Sequence, residues 1–336
     1  MKAWAIDCCP GSLAEGYATY SPSCLGQLFE GRKVSHILPY DPPHTDNEAD
    51  TEQFIENRRR ISISGVQEKV SLRLEKNVLR LTREGEQGLY ILKPLPRDVK
   101  RAKQAPANEH LTMQIARQVY GIHTAENAMI FFKDGTPAYI TKRFDIKKEG
   151  EKWGKEDFAS LAGKTKDNAG ADFKYDSNYE EAGSLIKKYV SAWQGEIEKY
   201  MGIVLFNYLF SNGDGHLKNF SLIESAKGDY LLSPAYDLIN SRLHVNDSDF
   251  ALCGGLFADA YKSEAYKKYN HACKTDFIEL ANRLGMAPSR MEKLLARFLE
   301  KPPLVASLVH RSFFPESEKQ VYYRMYETRM DSLRKE

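Results

Sequence analysis

The chain has 336 residues, with 48 Lys and Arg against 46 Asp and Glu for a net charge of +2. A balance this close to neutral excludes recruitment to nucleic acid or membrane by bulk charge. The length, with 19 Tyr and 16 Phe, excludes general disorder and suggests two lobes rather than one small core. No apolar run approaches the roughly 18 residues of a membrane span, and the opening "MKAWAIDCCPGSLAEG" lacks the apolar region of a secretory signal. The five cysteines read as free thiols of a cytoplasmic protein. Cys8, Cys9 and Cys24 cluster in sequence but lack the paired spacing of a zinc site.

Residues 1–55 read as an irregular leader that ends in an exposed linker, because "LPYDPPHTDNEADTE" has no apolar period. From Ile61 the texture changes. "RISISGVQEKVSLRL" alternates on both sides of a Ser-Gly turn, and "NVLRLT" and "LYILKP" continue as strands closed by Pro94. "PANEHLTMQIARQVYG" predicts a helix, with Pro106 at its start, Gly121 at its end, and Leu111, Ile115 and Val119 on one face. "NAMIFFKDGTPAYITKRF" predicts a hairpin through Asp134-Gly135. Residues 56–145 therefore read as a small antiparallel β lobe with one inserted helix. Residues 146–336 read as a larger helical lobe. In it "EIEKYMGIVLFNYLFSN" is a largely buried helix, "NFSLIE" and "DYLLSPAYDL" form a short strand pair, and amphipathic helices follow from Asp276. The basic runs Arg58-Arg59-Arg60 and Lys147-Lys148 read as solvated surface.

"SNGDGHLKNFSLIE" places Asp214, His216, Lys218 and Asn219 within six positions, between a buried helix and a buried strand. With a strand lysine in the lobe before it, this is the layout that phosphoryl transfer needs: positioning and charge neutralisation. Asp214 suits the base that accepts a hydroxyl proton. Asn219 and Asp237 supply the hard oxygen ligands that Mg²⁺ prefers, and Lys218 is placed beside the transferring phosphate. Lys93 in "YILKP" suits the cation on the ATP phosphates, held by Glu109 of "NEHLTM". His216 is read either as a loop-internal hydrogen-bonding group or as a nucleotide contact. Alone, Lys93 could flank a sheet edge and Glu109 could serve the helix dipole. The loop "SISGVQEK" has only Gly65 where a strong nucleotide loop has three glycines, but backbone amides from Ser62 to Val66, including Ser64, could cover phosphates.

In this order the motifs "SISGVQEK", "ILKP", "NEH", "KRFD", "NGDGHLKNFSL" and "AYDL" resemble the HipA-like serine/threonine kinases, the toxin halves of bacterial toxin–antitoxin systems. The resemblance runs over residues 61 to about 240. It implies an α+β, bilobal protein-kinase-like fold, ATP and Mg²⁺ as cofactors, Asp214 as catalytic base, Asn219 and Asp237 as metal ligands, and Lys93 on the ATP phosphates. It puts the adenine hinge at Lys142, Arg143 and Phe144, with backbone groups reading the base. It also implies a protein substrate such as an aminoacyl-tRNA synthetase, autophosphorylation of Ser62 or Ser64, a cognate antitoxin as partner, and DNA contact only through that antitoxin. The short leader and the paired serines are similar to the HipT-type branch, whose missing N-terminal subdomain is a separate small protein. Two rival readings are a non-catalytic nucleotide-binding scaffold within a DNA-binding antitoxin complex and a small-molecule phosphotransferase. A scaffold need not keep Asp214, Asn219 and Asp237 together.

Overall fold

Strands β1 (Val70–Glu75), β2 (Val78–Leu81), β3 (Tyr90–Lys93), β4 (Asn127–Phe131) and β5 (Pro137–Lys142) pair antiparallel in the order β2-β1-β3-β5-β4. The computed structural model describes residues 6–42, 68–96, 99–147 and 150–336. Successive strand side chains point to opposite faces, and here both faces are covered. Ala128, Ile130, Ala138, Ile140 and Leu92 face one core, while Met129, Phe131 and Tyr139 face another. This alternation sets the direction of the site lysine. Lys93 pairs with Tyr139 across β3 and β5, so it turns away from the Leu92 face and toward the helical lobe.

The first core is completed by the N-terminal segment, which was expected to be irregular. Its described part carries helix α1 (Pro22–Phe29), capped by Ser21, whose hydroxyl accepts from the Cys24 N–H at 3.2 Å. Cys9, Tyr20, Leu28, Phe29, Val34 and Leu38 are buried against the sheet. The Tyr20 hydroxyl donates to the Met129 carbonyl and that of Tyr90 to the Leu28 carbonyl. The segment lacks a period of its own because the sheet supplies the surface that orders it. The loop "SISGVQ", with Ser62, Ser64, Gly65 and Val66, and the Arg58-Arg59-Arg60 run lie outside the described residues.

On the other face lies helix α2 (Ala105–Gln118), with Pro106 in its first turn and Gly121 beyond its end in the left-handed region at φ 63°. It is buried on every side over most of its length, since it sits between the sheet and the helical lobe. The second lobe is built around helix α6 (Trp193–Leu209), which packs against α5 (Tyr179–Tyr189) and follows the short helices α3 (Phe158–Leu161) and α4 (Lys166–Ala169) in the chain. Nearly every α6 side chain from Ile197 onward is buried, as expected of a helix that is apolar all round. β7 (Ser221–Glu224) and β8 (Tyr230–Leu232) form the expected pair, and β6 (Lys155–Asp157) adds a third antiparallel strand. Helices α7 (Glu264–Tyr269), α8 (Lys274–Arg283), α9 (Pro288–Leu299), α10 (Pro303–Arg311) and α11 (Glu316–Arg334) close the lobe. Among the described residues no helix is long and apolar enough to cross a membrane.

Candidate active site

A cleft of about 600 Å³ separates the two lobes. Lys69, Lys93, Glu109 and residues 141–145 line it from the β lobe; Tyr175, Asp214, His216, Lys218, Asn219, Tyr236 and Asp237 line it from the other. Lysine side chains thus face the carboxylates of Asp214 and Asp237 and the amide of Asn219 across one opening.

Lys93 is only 3% exposed and Glu109 only 2%. The lysine Nζ lies 2.6 Å from Glu109 Oε1 and 2.6 Å from Asp237 Oδ1, and 5.4 Å from the centroid of the Tyr139 ring. Lys69, just before β1, reaches the other Asp237 oxygen at 3.3 Å. Burial works against the charge on Lys93, but the Asp237 and Glu109 carboxylates overcome it and raise its pKa. Burial likewise pushes Asp237 up, and the two lysines more than offset this, holding its carboxyl well below the ordinary range. Burial pushes Glu109 up, with Lys93 opposing. Asp237 stands in the left-handed region at φ 57°, a conformation Asp tolerates better than most side chains. An observed backbone outlier of this kind is a pointer to function.

The opposing loop is built on close approach. Ser211 is left-handed at φ 54° just past α6. The Ser241 hydroxyl accepts the Gly213 N–H at 2.8 Å and donates to the Ser211 carbonyl at 3.2 Å. A Cβ on Gly213 would fall 2.8 Å from the Ser248 carbonyl oxygen, and one on Gly215 would fall 2.7 Å from Asn207 Nδ2, so both glycines are required by packing. Asp214 is carried between them with its side chain about half exposed. The Tyr175 hydroxyl donates to Asp214 Oδ1 at 2.6 Å, standing where an acceptor hydroxyl would donate. Asn219 ends a 3₁₀ turn (Leu217–Asn219), and its Oδ1 accepts the His216 N–H at 3.1 Å, which leaves a second lone pair. His216 is buried with its ring edge-on to Tyr175, its Nε2 3.8 Å from Asp214 Oδ1. The loop-internal reading thus holds for its backbone, while its ring lines the cleft.

The remaining predicted residues divide. Lys218 lines the cleft, and its ionic partner is Asp157 at 3.9 Å. The Arg143 side chain is paired with Asp145 at 2.6 Å. The Lys142 and Arg143 N–H groups, expected among the groups that read a base, donate to the Glu126 and Leu89 carbonyls at 2.8 and 2.9 Å; Lys142 ends β5 and Arg143 extends the ladder one residue past it. Phe144 stacks obliquely against Tyr236 with ring centroids 5.6 Å apart, and Lys155 Nζ lies 5.5 and 5.2 Å from the two centroids. This aromatic wall suits a flat base. Tyr236, Lys155, Tyr175 and Asp157 were not singled out from sequence. Only the position of Tyr236 beside Asp237 carried a usable signal.

No cluster of three His, Cys, Asp or Glu side chains suited to a metal occurs among the described residues. The donor set of Asp237 and Asn219 nevertheless fits Mg²⁺, which keeps several waters and takes one or two protein oxygens together with phosphate oxygens. Asp237 stays ionised, as a metal ligand must.

Burial lowers the pKa of His216 and of His110 to about 4 each. The unfolded chain takes up protons near the ordinary value of about 6.5, so stability is full above that pH. It is lost progressively as the pH falls toward the folded values, by up to about 3 kcal/mol for each group. Denaturant unfolding at stepped pH is expected to show a midpoint that is flat from pH 8 to 7 and falls steeply below 6.5. His110→Gln should remove part of that slope.

The descriptions of similar proteins agree with this geometry. Residues 61–304 match the family model of the HipA-like C-terminal domain. A Haemophilus influenzae protein named "Putative kinase" is 24% identical over 95% of this chain and 94% of its own length. A Sinorhizobium fredii protein named "Putative kinase Y4dM" is 30% identical over 79% of this chain, which spans 65% of that relative. Among solved structures, a chain of the Shewanella oneidensis MR-1 toxin–antitoxin complex of HipA, HipB and operator DNA aligns with TM-score 0.62. Its identity is 19%, over 87% of this chain and 72% of that one. The Helicobacter pylori proinflammatory kinase CtkA aligns with TM-score 0.50 at 14% identity, over 78% of this chain and 93% of that one. These two likenesses establish a kinase-like fold. The family model, which covers more than half of the chain, establishes membership: the chain belongs to the HipA-like C-terminal domain family.

Proposed function

We propose that the protein is an ATP- and Mg²⁺-dependent kinase that transfers the γ-phosphoryl group to a serine or threonine hydroxyl of a protein. The observation that carries this reading is the buried Lys93–Glu109–Asp237 cluster facing Asp214 across one cleft. Lys93 turns from Asp237 to the phosphates while Glu109 retains it, and Lys69 adds a second cation. Asp237 and Asn219 would hold Mg²⁺, which would supply charge neutralisation to the phosphates. The acceptor hydroxyl displaces Tyr175 from Asp214. Its oxygen bonds to the γ-phosphorus as the bond to the β-phosphate oxygen breaks. The hydroxyl proton passes to Asp214 and ADP leaves. General-base help and preorganised charge are the two contributions such a transfer requires.

By its family we propose that it is the toxin partner of an antitoxin and that it meets DNA only through that partner. An aminoacyl-tRNA synthetase fits as substrate, since its phosphorylation would halt translation. Incubation of the purified protein with Mg-ATP and a cell lysate, read by phosphopeptide mass spectrometry, tests this. New phosphoserine or phosphothreonine sites on one or a few proteins are expected. No new site on any protein, beside a small molecule that gains phosphate, would favour a small-molecule phosphotransferase.

The same digest tests Ser62 and Ser64. A phosphate on either serine would carry about −1.5 to −2 charge and would oppose ATP phosphates bound near it. Phosphate on at least one of these serines is expected, with Ser62→Asp and Ser64→Asp binding ATP more weakly than the matching Ala variants. Equal affinities and no phosphate would leave the loop a plain phosphate cover.

A further inference from the structure

Asn108 precedes Glu109 on α2 and is completely buried. Its amide has two donor and two acceptor positions, and all four are used. Nδ2 donates to the Asn240 carbonyl at 2.8 Å and to His244 Nε2 at 2.9 Å. Oδ1 accepts the Asn240 N–H at 3.0 Å and the Thr112 hydroxyl at 3.3 Å. The side chain thus pairs with both backbone groups of Asn240, as a neighbouring strand would. Asn240 lies three residues past Asp237, whose left-handed turn begins the same segment. The two donated bonds also fix the His244 tautomer. Nε2 accepts, so Nδ1 carries the proton and donates to the Lys100 carbonyl at 2.9 Å.

We propose that Asn108 is a positioning residue for phosphoryl transfer, clamping the Asp237–His244 segment to the helix that carries Glu109, with neutral His244 as the third member of the clamp. This rests on the reading of the cleft as a kinase site. The physical case is geometric. Lys93 is held by Glu109 from α2 and by Asp237 from the segment, so a metal held by Asp237 and a phosphate held by Lys93 keep their relative places only while the two elements stay in register. Asn108 is the side chain whose bonds join them directly. Thr112 extends the joint to α11 through the Tyr322 hydroxyl at 2.9 Å.

Protonation of His244 would turn Nε2 into a donor facing the amide nitrogen, two donors opposed, and would open the clamp. Around the ring stand the Lys100 carbonyl, Arg101 from the turn before α2, and Glu318 from α11, the last two paired at 3.2 Å. Burial lowers the His244 pKa; the Lys100 carbonyl and Glu318 oppose it and Arg101 adds to it. The ring is therefore neutral at pH 7 and the clamp is closed.

The test compares wild type, Asn108→Ala and Asn108→Asp by Mg-ATP calorimetry from pH 8 to pH 5.5, by turnover, and by hydrogen exchange of backbone amides 238–244. At pH 8 both variants should bind Mg-ATP about tenfold more weakly, the effect of losing a buried hydrogen-bonded group, and their 238–244 amides should exchange faster. As pH falls the two variants diverge. The ratio of variant to wild-type Kd should fall toward one for Asn108→Ala. It should fall faster with acid for Asn108→Asp, because the introduced carboxylate accepts from protonated His244, although it leaves the Asn240 carbonyl without its donor at every pH. A purely structural role would not produce that divergence. If Asn108→Ala does not fold, the pH course of Asn108→Asp decides alone. Unchanged exchange at 238–244, or faster exchange with unaltered Kd and turnover, or an Asn108→Asp ratio that rises with acid, would overturn the proposal while wild type still binds Mg-ATP. Wild type that binds no Mg-ATP would overturn the reading of the cleft, and the positioning role with it.

Discussion

Asp214→Asn is expected to lower phosphoryl transfer by about a hundred- to ten-thousandfold, the usual contribution of a positioned general base, while leaving the fold intact. The change is nearly isosteric. The side chain is about half exposed, and the amide oxygen can still accept from the Tyr175 hydroxyl that now donates to Asp214. The Asp214 N–H keeps its bond to Asn212 Oδ1, so the loop should keep its shape. Incorporation of labelled γ-phosphate into protein should collapse, with Mg-ATP affinity and thermal midpoint close to wild type. A variant that transfers phosphate at the wild-type rate would remove Asp214 from the chemistry.

Lys93→Met should have the largest effect on stability and should also abolish tight Mg-ATP binding. Methionine fills much of the lysine volume but carries no charge. Glu109, 2% exposed, would lose its cation, whereas Asp237 would keep Lys69. Removing one partner of a buried ion pair typically costs about 3–5 kcal/mol because the other charge is left uncompensated. Glu109→Gln in the same chain should return much of that stability, since no charge then remains to be paired, but should not return nucleotide affinity. Denaturant midpoints and calorimetry separate the two effects. A double variant that recovers Mg-ATP binding would show that Lys93 serves the fold and not the phosphates.

The fold was legible where local signals and tertiary packing agree. The Asp134-Gly135 hairpin, the helix begun by Pro106 and the apolar helix over residues 193–209 lie where their patterns predict. The N-terminal segment was not legible, because Leu28, Phe29 and Tyr20 become a core only against the outer face of a sheet formed much later in the chain. β6 was missed because "KED" has no apolar alternation; its partner β7 makes it a strand.

The site divides along the same line. Lys93, Glu109, Asp214, Asn219 and Asp237 were singled out because their chemistry and order suit phosphoryl transfer, and the fold brings all five to one cleft. Tyr175 at Asp214, Lys155 over the Phe144–Tyr236 wall, and Asn108 on Asn240 are joined across 39 to 132 residues of sequence wherever a direct bond forms. No spacing rule encodes such contacts. Lys69 reaches Asp237, a pairing that depends on how the two lobes close.

The most direct test of the account is a crystal structure of the protein with Mg²⁺ and a non-hydrolysable ATP analogue. The account predicts the nucleotide in the inter-lobe cleft, with Lys93 Nζ moved from Asp237 to the phosphates and still bonded to Glu109. It also predicts the metal on Asp237 and Asn219, and the γ-phosphate facing Asp214. A nucleotide bound elsewhere, or one in the cleft with the Lys93–Asp237 bond intact and no metal on Asp237, would contradict it.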